Sequence, residues 1–162
     1  MKPSVQRVRD ALVAGGLQVK IVEYAESTKT AQAAADALGT TVERIVKSLV
    51  FMAGGSPVVV LTSGVNRVDM DKLGRALGRR IERADAARVR AATGFAIGGV
   101  APVGFPAPIE TLIDRDLLQY DLVWAAAGTP NTVFPIRPDD LVAVTGGQVR
   151  DIRVEPELPV PE

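Results

Sequence analysis

Alternating apolar and polar positions predict a β-hairpin in the first half of the chain. Residues 47–53, KSLVFMA, and 57–63, PVVVLTS, are rich in apolar and β-branched side chains. The residues between them, within GGSP at 54–57, are typical of a tight turn. We therefore expect two antiparallel strands joined by this turn.

A lysine interrupts the first of these strands. If the strand is extended, side chains alternate between its two faces, and Lys47 shares a face with Leu49 and Phe51. A lysine on an apolar face has to reach water, find a partner or lie in a cleft. From this stretch alone, Lys47 fits either a site residue or a surface-reaching side chain that follows a short helix.

Helical spacing and capping residues predict six helices, one of them a short helix that begins at 40–43. The first ends near Gly15 and the second runs from Thr30, a candidate N-cap, to Gly39. The segment 40–43, TTVE, has the spacing of a capping box. Further helices are predicted from Asp69 to Leu77, from about Ala86 to Ala92, and within 137–147.

The remaining segments predict shorter strands. These are LQVKIVEY at 17–24, a segment around Ile81, IETLID at 109–114, LVWAAA at 122–127, TVFPI at 132–136 and VRDIRV at 149–154. Hairpin-spaced strands mixed with helices predict the α/β class, of α+β type. We expect one domain over 1–155, built on a mixed, mostly antiparallel sheet flanked by helices, and a loose tail at 156–162.

The charge balance restricts the partners of the chain. It has 19 basic and 19 acidic residues, so bulk charge does not favour a protein that coats nucleic acid. Zero net charge and no visible helix-turn-helix also argue against duplex DNA. Six arginines between 75 and 90 form either a solvated helical face or a local patch for one RNA end.

The absent residue types exclude several chemistries. The chain has no cysteine and no histidine, which removes disulfides, zinc sites with Cys or His ligands, and Ser-His-Asp or Cys-His nucleophiles. We expect no metal and no cofactor. The N-terminal segment lacks the apolar core of a signal peptide, and no stretch has the roughly 20 apolar residues of a membrane span. A cytoplasmic protein without a membrane partner is expected.

Two loops are candidates for the chemistry. Gly98-Gly99-Val100-Ala101-Pro102 could direct backbone N–H groups at a carbonyl oxygen or an oxyanion, or could be a plain surface turn. The loop 128–131, GTPN, could place Asn131 at a strand end, or could likewise be a simple turn.

A third candidate is the segment that follows the hairpin. Ser63 and Gly64 precede a helix N-terminus where a phosphate or carboxylate could dock, although Asp69 is more simply explained as the helix cap.

The order of these segments is more specific than any one of them. The succession TAQAAADALG, IVKSLVF, PVVVLTSG, VDMDKLGRALG, TGFAIGGVAPVG, TLIDRDLL and VWAAAGTPNTVFPI, ending in LVAVTGGQV, resembles the YbaK-like family of aminoacyl-tRNA editing domains. This family is also known as the prolyl-tRNA synthetase-associated, or bacterial insertion-domain, editing family. The resemblance spans residues 28–150.

The resemblance implies a freestanding aminoacyl-tRNA deacylase that acts on the acceptor end of mischarged tRNA. The familiar substrates are prolyl-tRNAs that carry alanine or cysteine, and a synthetase is a possible partner. The family lysine matches Lys47, and the family Gly-x-x-x-Pro loop matches Gly98 to Pro102. Lys47 and the five loop residues are thus the expected catalytic set. The expected substrate-binding residues are Thr30, Ser48, Ser63, Gly64, Gly128 and Asn131.

The chemistry implied by the resemblance needs no imidazole. An aminoacyl ester is already activated, and the ribose 2′-hydroxyl of the substrate can assist its hydrolysis. One departure is that many relatives carry histidine where this chain has Asn131. Asparagine cannot act as a general base near neutrality, so a non-catalytic module that binds an aminoacyl group, a nucleotide or a synthetase is the alternative.

Overall fold

The structure, a computed structural model, describes residues 1–24 and 30–156. Nearly all of the expected loose tail lies outside the described residues. The helices are α1 (Pro3–Ala14), α2 (Ala31–Leu38), α3 (Met70–Leu77), α4 (Ala86–Thr93) and α5 (Pro138–Thr145). The strands are β1 (Val22–Glu23), β2 (Val46–Ala53), β3 (Ser56–Ser63), β4 (Ile81–Arg83), β5 (Glu110–Asp114), β6 (Val123–Ala126), β7 (Thr132–Ile136) and β8 (Gln148–Arg150). Two 3-10 helices span Val42–Arg44 and Arg115–Gln119.

The predicted hairpin is the centre of a five-stranded sheet. Strands β2 and β3 pair antiparallel from Val46 opposite Ser63 to Ala53 opposite Ser56. Gly54 and Gly55 form the turn, and both have positive φ, which suits the twist of a two-residue hairpin. The strand order is β4-β2-β3-β5-β8, in which β5 and β8 pair parallel to their neighbours.

A second, antiparallel sheet carries the order β1-β7-β6. It meets the first sheet where Ile45, just before β2, forms an isolated parallel bridge with Trp124 of β6. The α/β class with a mixed, mostly antiparallel arrangement is confirmed. The strands are divided between two sheets, however, where a single sheet was expected.

Both faces of the larger sheet are covered. One face packs Val50 and Leu61 against α1, Phe95 and the second sheet, and Phe134 is fully buried there. The opposite face packs Phe51 and Val60 with Leu73 of α3 and Ile152, among others. This arrangement explains the continuous apolar run of β3, because the side chains on both faces of the strand are buried.

The predicted helix ends are largely confirmed. The side chains of Thr30, Asp69 and Asp85 cap α2, α3 and α4 by accepting backbone N–H groups. Gly39 and Gly78 end α2 and α3 in the left-handed conformation, which glycine adopts without steric cost.

Two local predictions are wrong. The segment 17–24 was expected to be a strand, but only Val22 and Glu23 pair with β7, while Leu17 and Val19 pack against the core without a ladder. The capping box at 40–43 does not form. Thr41 makes no cap, and its hydroxyl instead accepts a hydrogen bond from the Arg44 side chain beside a single 3-10 turn.

Candidate functional site

A cavity of about 670 Å³ lies between the two sheets. Its walls are β2, the start of α2, the outer face of β6, and the loops that contain Gly98 and Thr129. Arg83 at the end of β4, Ala84 after it and Val89 of α4 also line the cavity. None of the described helices could span a membrane.

The cavity opens along an exposed edge of β2. Strand β4 pairs only with Phe51 to Ala53, so within the described residues it leaves the edge of β2 free from Lys47 to Val50. Side chains from both faces of the strand can therefore reach the cavity, although Lys47 and Ser48 point in opposite directions.

Lys47 is half-buried, and its ammonium is anchored. Its Nζ donates a hydrogen bond of 2.6 Å to the carbonyl oxygen of Asn66. Burial lowers the pKa of Lys47 from its ordinary value of 10.5; the positive charge of Arg67 lowers it further, and Asp114 opposes the shift. An ammonium has three donors, so this bond leaves two for a ligand.

Ser48 lies beside Lys47 in the cavity wall, and its hydroxyl is unused. The Oγ atom is buried and has no hydrogen-bond partner among the described residues. A buried hydroxyl without a partner is costly, and such groups are rare in folded proteins. Ser48 lines the cavity, so its hydroxyl could bind a ligand there if the side chain turned toward it.

The Gly98–Pro102 loop contributes only part of what its sequence suggested. Gly98 and Val100 line the cavity, whereas Gly99, Ala101 and Pro102 are not among its lining residues. The N–H of Gly99 donates to the carbonyl of Ala96 at 3.0 Å, so it is already used inside the turn. The Val100 N–H makes no hydrogen bond to the residues described and remains the candidate oxyanion donor.

Gly99 has a packing role instead. A Cβ at this position would lie 2.9 Å from Cα of Thr129 and 3.2 Å from the nitrogen of Pro130. Real Cβ atoms do not approach a backbone this closely, so only glycine allows the two loops to touch. The Gly98–Pro102 loop and the Gly128–Asn131 loop therefore form one wall.

Asn131 is a structural link rather than part of the cavity lining. Its side-chain amide donates to the carbonyl of Tyr24 at 3.2 Å, and its side-chain oxygen accepts from the Thr129 hydroxyl at 3.0 Å. Its backbone carbonyl also accepts from the N–H of Tyr24. These bonds tie the end of β1 to the loop before β7 and occupy both ends of the amide group.

Four other candidates from the sequence have structural contacts of their own. Ser63 is buried, and its hydroxyl donates to the carbonyl of Glu43 at 2.8 Å. Gly64 lets the chain pass the Val42 carbonyl, and Gly128 lets it pass the Ser4 carbonyl. Thr30 lines the cavity, but its hydroxyl caps α2. Of the substrate-binding set, only Thr30 and Ser48 lie on the cavity wall.

A family model described as an aminoacyl-tRNA editing domain matches residues 25–144 of this chain. The chain belongs to the aminoacyl-tRNA editing family. The predicted family is thus confirmed. The predicted enzyme class, an aminoacyl-tRNA hydrolase, is confirmed with it.

Individual relatives agree with this assignment. EbsC of Enterococcus faecalis (strain ATCC 700802 / V583), named as a candidate Cys-tRNA(Pro)/Cys-tRNA(Cys) deacylase, is 28% identical over 131 residues, or 80% of each chain. A proline–tRNA ligase of Ligilactobacillus salivarius (strain UCC118) is 34% identical over 95 residues, which cover 56% of this chain and 16% of the ligase. A crystal structure described as a candidate trans-editing enzyme for prolyl-tRNA synthetase superposes with a TM-score of 0.91. It is 46% identical and covers 96% of this chain and 99% of its own.

The sequence did not single out several residues that line the cavity of the editing domain. Trp124 and Ala126 alternate with buried Val123 and Ala125 along β6, and this alternation marks a face that looks away from the core. Thr129 and Thr132 are 2.6 Å apart through their hydroxyls and both line the cavity. Nothing in the sequence placed Arg83 there, because its position depends on how β4 docks on β2.

Proposed function

We propose that this editing domain acts in trans and hydrolyses the ester between a small amino acid, such as alanine or cysteine, and the acceptor end of tRNA(Pro). The observation that carries the proposal is the single cavity that brings Lys47 and Ser48 of β2 together with Gly98 and Val100 of the opposing loop. The names of the relatives, a Cys-tRNA(Pro) deacylase and prolyl-tRNA ligases, favour tRNA(Pro) as the carrier.

The cavity has a suitable size for the end of such a substrate. Its volume of about 670 Å³ falls within the range of roughly 300–1,000 Å³ that small-molecule sites occupy. Alanines at 31, 34 and 126 line part of the wall, and these small side chains leave room for the adenosine that carries the amino acid. Cavity size alone discriminates weakly between amino acids, because one methylene changes binding by about 1–3 kcal/mol.

The chemistry follows from the groups that remain unpaired. Water attacks the ester carbonyl carbon, and the bond to the ribose 3′-oxygen breaks as that oxygen takes up a proton. The Val100 N–H and the Lys47 ammonium would stabilise the negative charge on the carbonyl oxygen. The ribose 2′-hydroxyl of the substrate would orient the water or relay the proton, which suits a chain without histidine. Ser48 would hydrogen-bond the amino acid or the sugar.

The acceptor stem would approach past Arg83. This arginine lines the cavity, and it belongs to a segment, 75–90, that has six arginines and two carboxylates. Arg79 is paired with Glu110, but Arg80 is 87% exposed and has only a distant partner in Glu82, at 3.9 Å. Arg83 at the cavity and other exposed arginines of this segment could contact tRNA phosphates, and such contacts weaken with salt.

A non-catalytic binding module is the second candidate. The observation that favours it is that the Lys47 ammonium is already bound to the Asn66 carbonyl, and that Asn131 stands where many relatives have histidine. Under this alternative the protein would bind aminoacyl-tRNA without releasing the amino acid.

A panel of mischarged tRNAs tests the proposal. The purified protein is incubated with Ala-tRNA(Pro), Cys-tRNA(Pro) and Pro-tRNA(Pro), and the remaining ester is measured against the uncatalysed rate. We expect faster loss of alanine or cysteine than of proline, and a rate that falls between 50 and 200 mM salt at subsaturating tRNA.

The Lys47→Ala variant, prepared in parallel, is the control for contaminating hydrolases. If the wild type leaves all three tRNAs intact but retards them in a binding assay, the binding module replaces the deacylase. Equal hydrolysis of all three substrates would contradict the proposed selectivity while keeping the reaction.

A further inference from the structure

The turn after β3 lies directly against the Lys47 ammonium. Asn66, whose N–H closes this turn on the Ser63 carbonyl, accepts the 2.6 Å hydrogen bond from Lys47 Nζ through its backbone carbonyl. The two residues are 19 positions apart in the chain, so the contact is not a consequence of local geometry. The position of the ammonium therefore depends on where the turn is held.

The Asn66 side chain holds the turn on two carboxylates. Its Nδ2 donates to Asp114 Oδ2 at 2.7 Å and to Asp116 Oδ2 at 2.8 Å. Both amide hydrogens are thus used, and both bonds are charge-assisted, which makes them stronger than neutral ones. Asp116 is in turn bound by Arg153 at 2.7 Å.

Asp114 is the buried centre of this arrangement. It is 1% exposed, and it accepts bonds from the Thr62 hydroxyl and the Ser63 N–H, both at 3.1 Å. Burying a carboxylate is costly unless it is fully hydrogen-bonded, and a turn that merely connects β3 to α3 does not need one. The carboxylate instead joins three parts of the chain: the end of β3, the turn after it and the start of the distant 3-10 helix at Arg115–Gln119.

We infer that Asn66, clamped by Asp114 and Asp116, is a positioning residue that sets the place of the Lys47 ammonium for ester hydrolysis. The inference rests on the proposed function. A lysine side chain is flexible, and small displacements of a catalytic group cost large factors in rate. With one N–H fixed on the Asn66 carbonyl, the other two can take only a limited range of directions, and Lys47 lines the cavity.

A double-mutant cycle separates positioning from plain structural support. Asn66→Ala should lower the single-turnover deacylation rate by about 10- to 100-fold, with the substrate KM changed by less than about threefold. In the Lys47→Ala background the same substitution should cause no further loss, because there is no ammonium left to position. Val65→Ala is the matched control, since Val65 is 50% exposed on the same turn. If the two losses multiply, Asn66 acts through the fold or the substrate and the inference is wrong.

A second readout requires no tRNA. Reductive methylation of the lysines, followed by mass spectrometry, measures how accessible each ammonium is. Lys47 should react slowly in the wild type and at least about fivefold faster in Asn66→Ala, while the exposed Lys2 and Lys20 stay within about twofold. Unchanged Lys47 labelling in a folded Asn66→Ala variant would overturn the inference.

Asp116→Ala is a milder variant for the case that Asn66→Ala does not fold. It removes one of the two acceptors of the Asn66 amide and leaves Asp114 in place, so it should raise Lys47 labelling by a smaller factor. No change in this variant would also count against the inference. A failure of the proposed function is recognised separately, because the wild type would then hydrolyse none of the tRNAs while the labelling result still reports on Lys47.

Discussion

The two walls of the cavity are built in opposite ways. The β2 wall presents polar groups that can form further hydrogen bonds. The Ser48 hydroxyl has no partner among the described residues, and the Lys47 ammonium donates one hydrogen bond among them, to the Asn66 carbonyl. The loop wall, at 98–100 and 128–132, presents side chains that are already paired, since the Thr129 hydroxyl contacts both Asn131 and Thr132. Its main contribution is backbone and shape.

This difference indicates which wall of the cavity carries the groups that can bind a substrate. Groups with spare hydrogen-bonding capacity lie on a sheet strand, whose position is fixed by its ladder with β3 over eight residue pairs. The wall without spare side chains depends on the contact of Gly99 with Thr129. Substitutions in the β2 wall should therefore change the rate at little cost in stability, and substitutions in the loop wall should change stability first.

Removal of the Lys47 side chain should have the largest effect on the rate. Lys47→Ala deletes the cation that we propose to stabilise the developing negative charge, and the loss of one such group typically costs about 100- to 1,000-fold. The melting temperature should change by no more than a few degrees, because the ammonium is half-buried and its charged form is disfavoured by burial. Single-turnover deacylation with thermal melting measures both. A tenfold or smaller loss of rate would remove Lys47 from the catalytic set.

The pH dependence of the deacylation rate also tests the role of the Lys47 ammonium. Because burial and Arg67 lower the pKa of Lys47, the ammonium is lost at a lower pH than in a free lysine. The rate above the uncatalysed background should then fall on the alkaline side before pH 10.5, the ordinary lysine value. Stability should follow the opposite sign, since the cost of the buried charge is fully present below the lowered pKa and is relieved as the pH rises.

Lys47→Arg separates this titration from other alkaline effects. A guanidinium keeps its charge throughout the accessible range, so this variant should be slower but should lose the alkaline fall. If the fall persists unchanged in Lys47→Arg, the titrating group is not Lys47.

The contact between the loops should give the largest effect on stability. Gly99→Ala places a methyl group 2.9 Å from Cα of Thr129, and a backbone atom cannot rotate away as a side chain can. We expect a loss of about 1–3 kcal/mol in the free energy of unfolding, as for other overpacked sites, and a lower rate as the two loops of this wall separate. Urea unfolding measures the stability.

Gly74→Ala is the matched control for this substitution. Gly74 lies inside α3, and its added Cβ would meet nothing closer than 3.5 Å, so alanine should stabilise the helix by roughly 0.5–1 kcal/mol. The two Gly→Ala substitutions should thus have opposite signs. Equal effects would show that the Gly99 contact is not what holds the loop wall.

The same contrast explains how much of the molecule was predictable. The hairpin, the helix caps at Thr30, Asp69 and Asp85, and the α/β class follow from short-range patterns, and all are confirmed. Lys47 stood out because a charge in an apolar strand is a local anomaly. These features are encoded within a few residues of where they act.

The features that sequence reasoning missed are those set by distant contacts. The division into two sheets, which meet at Ile45 and Trp124, depends on which distant strands pair, and nothing local signals it. Asn131 stays a predicted substrate-binding residue, but the bonds that its amide makes with Tyr24 and Thr129 could not be read from the sequence. The role of Gly99 in packing likewise depends on its contact with Thr129 in the adjoining loop.

Ser48→Ala tests whether the uncharged hydroxyl of the β2 wall binds the substrate. The hydroxyl has no partner to lose in the described part of the chain, so its removal should leave the free energy of unfolding unchanged or slightly higher. If the hydroxyl binds the substrate, kcat/KM should fall by about tenfold, as expected for one lost hydrogen bond of roughly 1.4 kcal/mol. Ser56→Ala, at the exposed start of β3, is the control. A loss of stability without a loss of rate would assign Ser48 to the fold.

Asn131→Ala should have the smallest effect on the rate, although the sequence made this residue conspicuous. The substitution breaks the bonds to Tyr24 and Thr129, and two partly buried hydrogen bonds of this kind are together worth about 1–3 kcal/mol of stability. The rate should stay within about threefold, because Asn131 does not line the cavity.

Asn131→His provides the comparison with relatives that carry histidine. An imidazole has a different shape from the amide, so this variant should also be less stable than the wild type. A rate gain in Asn131→His at constant KM would show instead that this loop position reaches the reacting ester, and the distinction between the two walls would then fail.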